Sequence, residues 1–97
     1  MLYAIICTDK PDGLPLRQET RPKHLEYLQG LSGTLKIAGP FLNEEAQTPN
    51  GSMLIVDVGS LDEAQAIADG DPYAKAGLFE RVEFRPWNWT VGNPDAG

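Results

Sequence analysis

The sequence holds one histidine and one cysteine in 97 residues, and each scarcity removes a class of function. A lone Cys7 can form no internal disulfide, and its place in an apolar run reads as a reduced thiol in the core. No basic residue stands beside it in sequence to lower its pKa, so it is not read as a nucleophile. With a single histidine, no C-x-x-C and no H-E-x-x-H, a protein-held metal is not expected. Gly30, Gly33 and Gly39 have the wrong spacing for either nucleotide-binding loop, and no G-x-S-x-G occurs. No cofactor is therefore expected. Basic residues are scarce too: 8 Lys and Arg against 14 Asp and Glu give a net charge of −6. Nucleic acid and anionic membrane surfaces both need a basic footprint, so neither is an expected partner. No apolar run approaches the ~20 residues that span a bilayer, and no charged leader precedes the first strand-like segment. The chain reads as cytoplasmic.

What is present is the pattern of one small domain over residues 1–97, with 91–97 read as a mobile tail rich in Gly, Asn and Pro. Leu2 to Thr8 and Ser52 to Val58 are strand-like and apolar on both alternating faces, except at Asp57. Between them, Thr34 to Pro40 is a further strand, and Phe41 to Gly51 a polar loop whose Asn50-Gly51 pair suggests a tight turn. Leu14 begins a helical pattern. Its main helix is expected to start near Thr20 or Arg21, the alternative being one longer helix kinked at Pro22. Ser60 caps a second helix, with Glu63 three residues on completing a capping box. Asp71-Pro72-Tyr73 opens a short third turn, and Leu78 to Trp87 is the last strand. The order β-α-β-β-α-β predicts an α+β, ferredoxin-like fold: a four-stranded antiparallel sheet with the helices on one face. Two doubly apolar strands then require cover on the face the helices leave bare, so a homodimer is expected, two sheets closing as a dimeric α+β barrel.

The histidine is the focus of the chemistry. Taking His24 as zero on a helix, Leu28 falls about 40° away, Leu31 about −20° and Tyr27 about −60°, so the ring is expected to point inward from an apolar face. An inward imidazole either finds a buried partner within the core or lines a pocket. Asp71, Asp57, Glu26 and Glu80 are the acidic candidates, and spacing alone does not separate a catalytic Asp71 from a plain helix cap. Arg17 and Arg21, four residues apart, share a helix face and could fork a carboxylate. Tyr73 beside Asp71 could take a polar role.

The blocks Arg21-Pro22-Lys23-His24-Leu25, Ala38-Gly39-Pro40, Asp71-Pro72-Tyr73 and Ala76-Gly77-Leu78-Phe79-Glu80, in that order, resemble the YciI-like (YCII-related) family over nearly the whole chain. The resemblance implies a dimeric α+β barrel similar to muconolactone isomerase, with a pocket between helices and sheet. It also implies a paired His24 and Asp71 as the catalytic residues, and Arg17 falls where the family often has arginine; Arg17, Arg21 and Tyr73 are the expected substrate-binding residues. A related dehalogenase of chlorinated muconolactones suggests the chemistry: a base removes a proton, an anion leaves, and no metal or cofactor takes part. The expected function is thus a cofactor-independent lyase, isomerase or hydrolase acting on a small acidic or lactone metabolite. The alternative is a non-catalytic dimer that binds a small ligand or another protein.

Overall fold

In a computed structural model the chain is described from Met1 to Pro94. Its elements run β1 (Leu2–Asp9), α1 (Leu14–Gln29), β2 (Leu35–Leu42), β3 (Pro49–Asp57), α2 (Leu61–Gly70), α3 (Pro72–Lys75) and β4 (Phe79–Trp87). The four strands form one antiparallel sheet in the order β2-β3-β1-β4, as the ferredoxin-like reading requires. Residues 91–94 form bends and a turn after β4; the rest of the expected tail, 95–97, lies outside the described residues.

Register assigns the two faces. Tyr3, Ile5 and Cys7 of β1 stand opposite Val56, Leu54 and Ser52 of β3. Antiparallel partners share a face, and this one packs on Ala64 and Ala68 of α2 to form the core. The other face carries Ala4, Ile6, Met53 and Ile55, with Ile37 and Phe41 of β2 beside them. No helix covers it, and Ile37 and Phe41 remain 41% and 39% exposed.

Four local expectations are corrected. Helix α1 does not begin at Thr20 but runs unbroken from Leu14 through Pro22, with Pro15 in its first turn. The helix tolerates Pro22 because only the bond that Gln18's carbonyl would accept is lost. The hairpin turn is not at Asn50-Gly51, which lie inside β3; it is made by Asn43 to Thr48. There Asn43 Oδ1 accepts from the backbone N–H groups of Gln47 and Thr48, and so stands in for a turn's backbone acceptor. Gly51 is needed in the strand for another reason: a Cβ at that position would stand 2.5 Å from the Cys7 carbonyl oxygen. Pro40 does not end β2. As an edge strand, β2 has one side with no ladder to donate to, and proline fits there. Finally, Ser60 caps α2 as expected, but the Glu63 carboxylate accepts from Gly59 N–H at 2.6 Å, one residue earlier than a standard capping box.

Candidate functional site

Helix α1 buries Arg17, Thr20 and His24, all polar, while Leu25 on the same helix is 39% exposed. The expected apolar face is thus a polar stripe. The reason is that this stretch of helix faces a cavity of about 390 Å³, lying between α1 and the strands β2 and β3, and not the main core. Residues 17, 21 and 24 follow the three-and-four spacing of one helix face, so a single element delivers two guanidinium groups and the imidazole to the same space. Tyr73 enters from α3, Ser52 from β3 and Pro40 from β2.

His24 Nδ1 lies 2.8 Å from Asp71 Oδ1, and both side chains are nearly fully buried. Asp71 ends α2 and caps α3, its Oδ1 also accepting from the Tyr73 backbone N–H at 2.9 Å. The helix cap and the histidine partner are therefore one carboxylate, and the choice left open by spacing has both answers. An ionised carboxylate only accepts, so Asp71 places the proton of neutral His24 on Nδ1 and leaves the lone pair on Nε2. No buried side-chain nitrogen or oxygen among the described residues lacks a partner, so Nε2, which has no hydrogen-bond partner among them, is the atom His24 presents to the cavity. The other acidic candidates are elsewhere: Asp57 pairs with the Met1 amino group, and Glu26 and Glu80 are exposed.

Arg17 is not the free fork that the helix spacing suggested. Its Nε donates to Asp9 Oδ2 at 2.7 Å, and its Nη2 donates to Asp9 Oδ1 at 2.9 Å and to Ser52 Oγ at 3.0 Å. Burial by itself would lower its pKa; the bonds and charge of Asp9, with help from Tyr73, outweigh that and hold it above the ordinary arginine value. Only Nη1 is left for anything else. Arg21, by contrast, is exposed on the cavity rim and makes no ion pair among the described residues. The Tyr73 ring stacks on His24 with centroids 4.0 Å apart, and Arg17 Cζ lies 4.6 Å from the same ring's centroid. Burial pushes the Tyr73 phenol up, the Arg17 and Arg21 charges pull it down, and Asp71 adds to the rise; the net direction is up.

Sequence reasoning missed Asp9 and Ser52. Asp9 sits in the Asp-Lys-Pro-Asp-Gly cluster that reads as a turn. Extending the alternation Tyr3, Ile5, Cys7 by one more step would have placed it on the helix face. Ser52 carried no such signal, because its partner Arg17 is 35 residues away.

Cys7 is buried as expected, and its thiol is pushed up from 9.0 to about 12 by burial and the Asp71 and Asp9 charges, with Arg17 pulling the other way. Native protein at pH 8 should thus leave Cys7 unreacted with a disulfide reagent, and full reaction should follow unfolding in urea. The linkage sign is fixed by the raised value. Above pH 9.0 the unfolded chain loses this proton before the native chain does, so stability falls as pH rises from about 9 through about 12. Thermal melts of Cys7→Ala should show a shallower loss over that range than the parent; equal slopes would count against the assignment.

Comparisons with known proteins agree with this architecture. The profile of the YCII-related domain matches residues 1–88. The chain is 43% identical over 94 residues to protein YciI of Escherichia coli, an alignment covering 90% of this chain and 96% of that one. It is 35% identical over 74 residues to "derivative of benzaldehyde biosynthesis cluster protein C" of Emericella nidulans, covering 68% and 76%. Among solved structures it is similar to 5-chloro-2-hydroxyhydroquinone dehydrochlorinase of Burkholderia phenoliruptrix, in complex with 2,5-dihydroxybenzoquinone. That match has a TM-score of 0.83 and 33% identity and covers 91% and 94% of the two chains. Profile, sequence relatives and backbone coincide over nearly the full length, and the chain belongs to the YCII-related domain family.

Proposed function

We propose that this protein is a cofactor-independent enzyme in which His24, held by Asp71, moves a proton on a small, anionic, oxygen-rich metabolite in a lyase, isomerase or hydrolase type of reaction. One observation carries the reading: Asp71 occupies Nδ1 at 2.8 Å while Nε2 is left open to a cavity of about 390 Å³. A carboxylate on one ring nitrogen sets the tautomer and supports the imidazolium that forms when the other nitrogen takes a proton. Arg21, which makes no ion pair among the described residues, supplies a cation for the substrate's anionic group, and Leu14, Leu25, Leu28 and Leu54 suit an apolar body. The similarity to a dehydrochlorinase supports elimination as the reaction type: a proton goes to Nε2, the electron pair forms a new π bond, and a leaving anion carries away its own pair.

The test is turnover of a panel of chlorinated hydroxyhydroquinones, small lactones and carboxylic acids. His24→Ala is expected to abolish it, with the thermal melt retained. Unchanged turnover would remove the assignment, and tight binding without turnover of any compound would favour a small-ligand-binding module.

The apolar open face of the sheet is proposed to be covered by a second copy of this chain, since a bare patch of Ile6, Ile37, Phe41 and Met53 favours association. Sedimentation equilibrium should give twice 10.6 kDa, and Phe41→Asp should shift it to the single-chain mass. A wild-type monomer at tens of micromolar would exclude the dimer.

A further inference from the structure

A base that removes a proton from carbon needs a partner that stabilises the negative charge appearing on the adjacent oxygen. Five polar groups of the cavity wall besides His24 compete for that part: Arg17, Gln18, Arg21, Ser52 and Tyr73, of which Gln18 is exposed. Arg21 is exposed on the rim, where water weakens its field. Ser52 Oγ accepts from Arg17 Nη2 and keeps an O–H to donate; Tyr73 differs from it in lying flat against the imidazole. Arg17 itself is clamped by Asp9 on two nitrogens, which fixes the plane of its guanidinium.

Tyr73 has the geometry the part requires. It is 1% exposed, its ring lies flat on the base at 4.0 Å and 19°, and it lines the same cavity. The Arg17 guanidinium carbon lies 4.6 Å from its ring centroid. The Tyr73 phenol carries one O–H to donate, and the residue lines the cavity. Burial keeps the phenol protonated and therefore a donor at neutral pH, while the adjacent cation polarises its O–H bond.

We infer that Tyr73 is the second catalytic residue of this site, its hydroxyl donating a hydrogen bond to the substrate oxygen that becomes negative as His24 Nε2 takes the proton. Asp9 and Ser52 are then positioning residues: they hold Arg17, and Arg17 lies against the Tyr73 ring. The inference rests on the acid–base reading of His24. In the step, the C–H bond breaks, its proton goes to Nε2, and its electron pair moves through the new C=C bond onto the oxygen. The Tyr73 O–H meets that charge without transferring its own proton. The substrate class is narrowed to compounds with a carbonyl or enol oxygen adjacent to the reacting carbon.

The experiment uses the full chain and 2,5-dihydroxybenzoquinone, an enolised ring that needs no leaving group. In heavy water a ring carbon takes up a deuteron and gives its proton to the base, so the loss of its ring-proton signal by NMR reads the proton step directly. Titration of its visible absorbance reads binding. Tyr73→Phe keeps the stacked ring and is expected to slow exchange about 100-fold and to weaken binding about tenfold. Tyr27→Phe removes a phenol that bonds the Ile67 carbonyl outside this cavity, and it should leave both readings unchanged. If Tyr73→Phe exchanges as fast as wild type while His24→Ala has lost exchange, the tyrosine assignment falls and the base survives. If His24→Ala also keeps wild-type exchange, or wild type shows none, both fall.

Discussion

Asp9→Asn should lower the free energy of unfolding by about 3–5 kcal/mol, read as a shift in the urea midpoint with little change in slope. The Asp9–Arg17 pair is bidentate, with side chains only 3% and 6% exposed. Removing one charge leaves the other desolvated and unneutralised, which is the expensive half of a buried ion pair. The double variant Asp9→Leu/Arg17→Met should recover most of that loss, because apolar groups of similar size carry no desolvation penalty. Recovery of stability without recovery of proton exchange on the dihydroxyquinone would show that the pair is kept for the site and not for the fold. A shift below about 1 kcal/mol for Asp9→Asn would mean that water reaches the pair and that Arg17 is less firmly held than its bonds suggest.

Asp71→Asn is expected to reduce turnover about 10³- to 10⁴-fold with only a small change in thermal stability, measured as kcat and melting temperature on the same preparation. Both contacts are made by the same atom, Oδ1, so the substitution removes its charge while keeping an acceptor in place. An asparagine Oδ1 still accepts from the Tyr73 N–H, so the α3 cap is preserved. That oxygen still accepts from Nδ1–H too but carries no charge to support the imidazolium; a reversed amide would donate to Nδ1, move the imidazole proton to Nε2 and lose the cap. Asp71→Ala removes cap and partner together and should add about 1 kcal/mol of destabilisation to the same loss of turnover. Wild-type kcat in Asp71→Asn would mean that the 2.8 Å contact with His24 is structural only.

The strand and helix order was legible because the period-2 and helical patterns are local, and because Ser60, Asp71 and Pro72 mark helix starts. The errors came where tertiary context overrides local chemistry. Asn50-Gly51 has the composition of a turn, yet Gly51 is held in β3 by the close approach of the Cys7 carbonyl. Pro22 has the composition of a helix start, yet packing carries α1 back to Leu14. At the site, the inward direction of His24 followed from helical spacing, but the polarity of its face did not. Apolar residues were assumed to mark the buried side, and the buried side of α1 is Arg17, Thr20 and His24.

The sequence by itself determined the element order, a buried unreactive Cys7, and a lone histidine aimed inward, since each of these depends on spacing within one element or on composition. The four family blocks named Asp71 as its partner. Only the tertiary structure decided that the capping oxygen of Asp71 also meets His24, that Arg17 is held by Asp9 and Ser52 while Arg21 makes no ion pair among the described residues, and that Tyr73 lies against the imidazole. Those contacts join residues 8 to 49 positions apart on different elements, and no local pattern encodes which of them will meet.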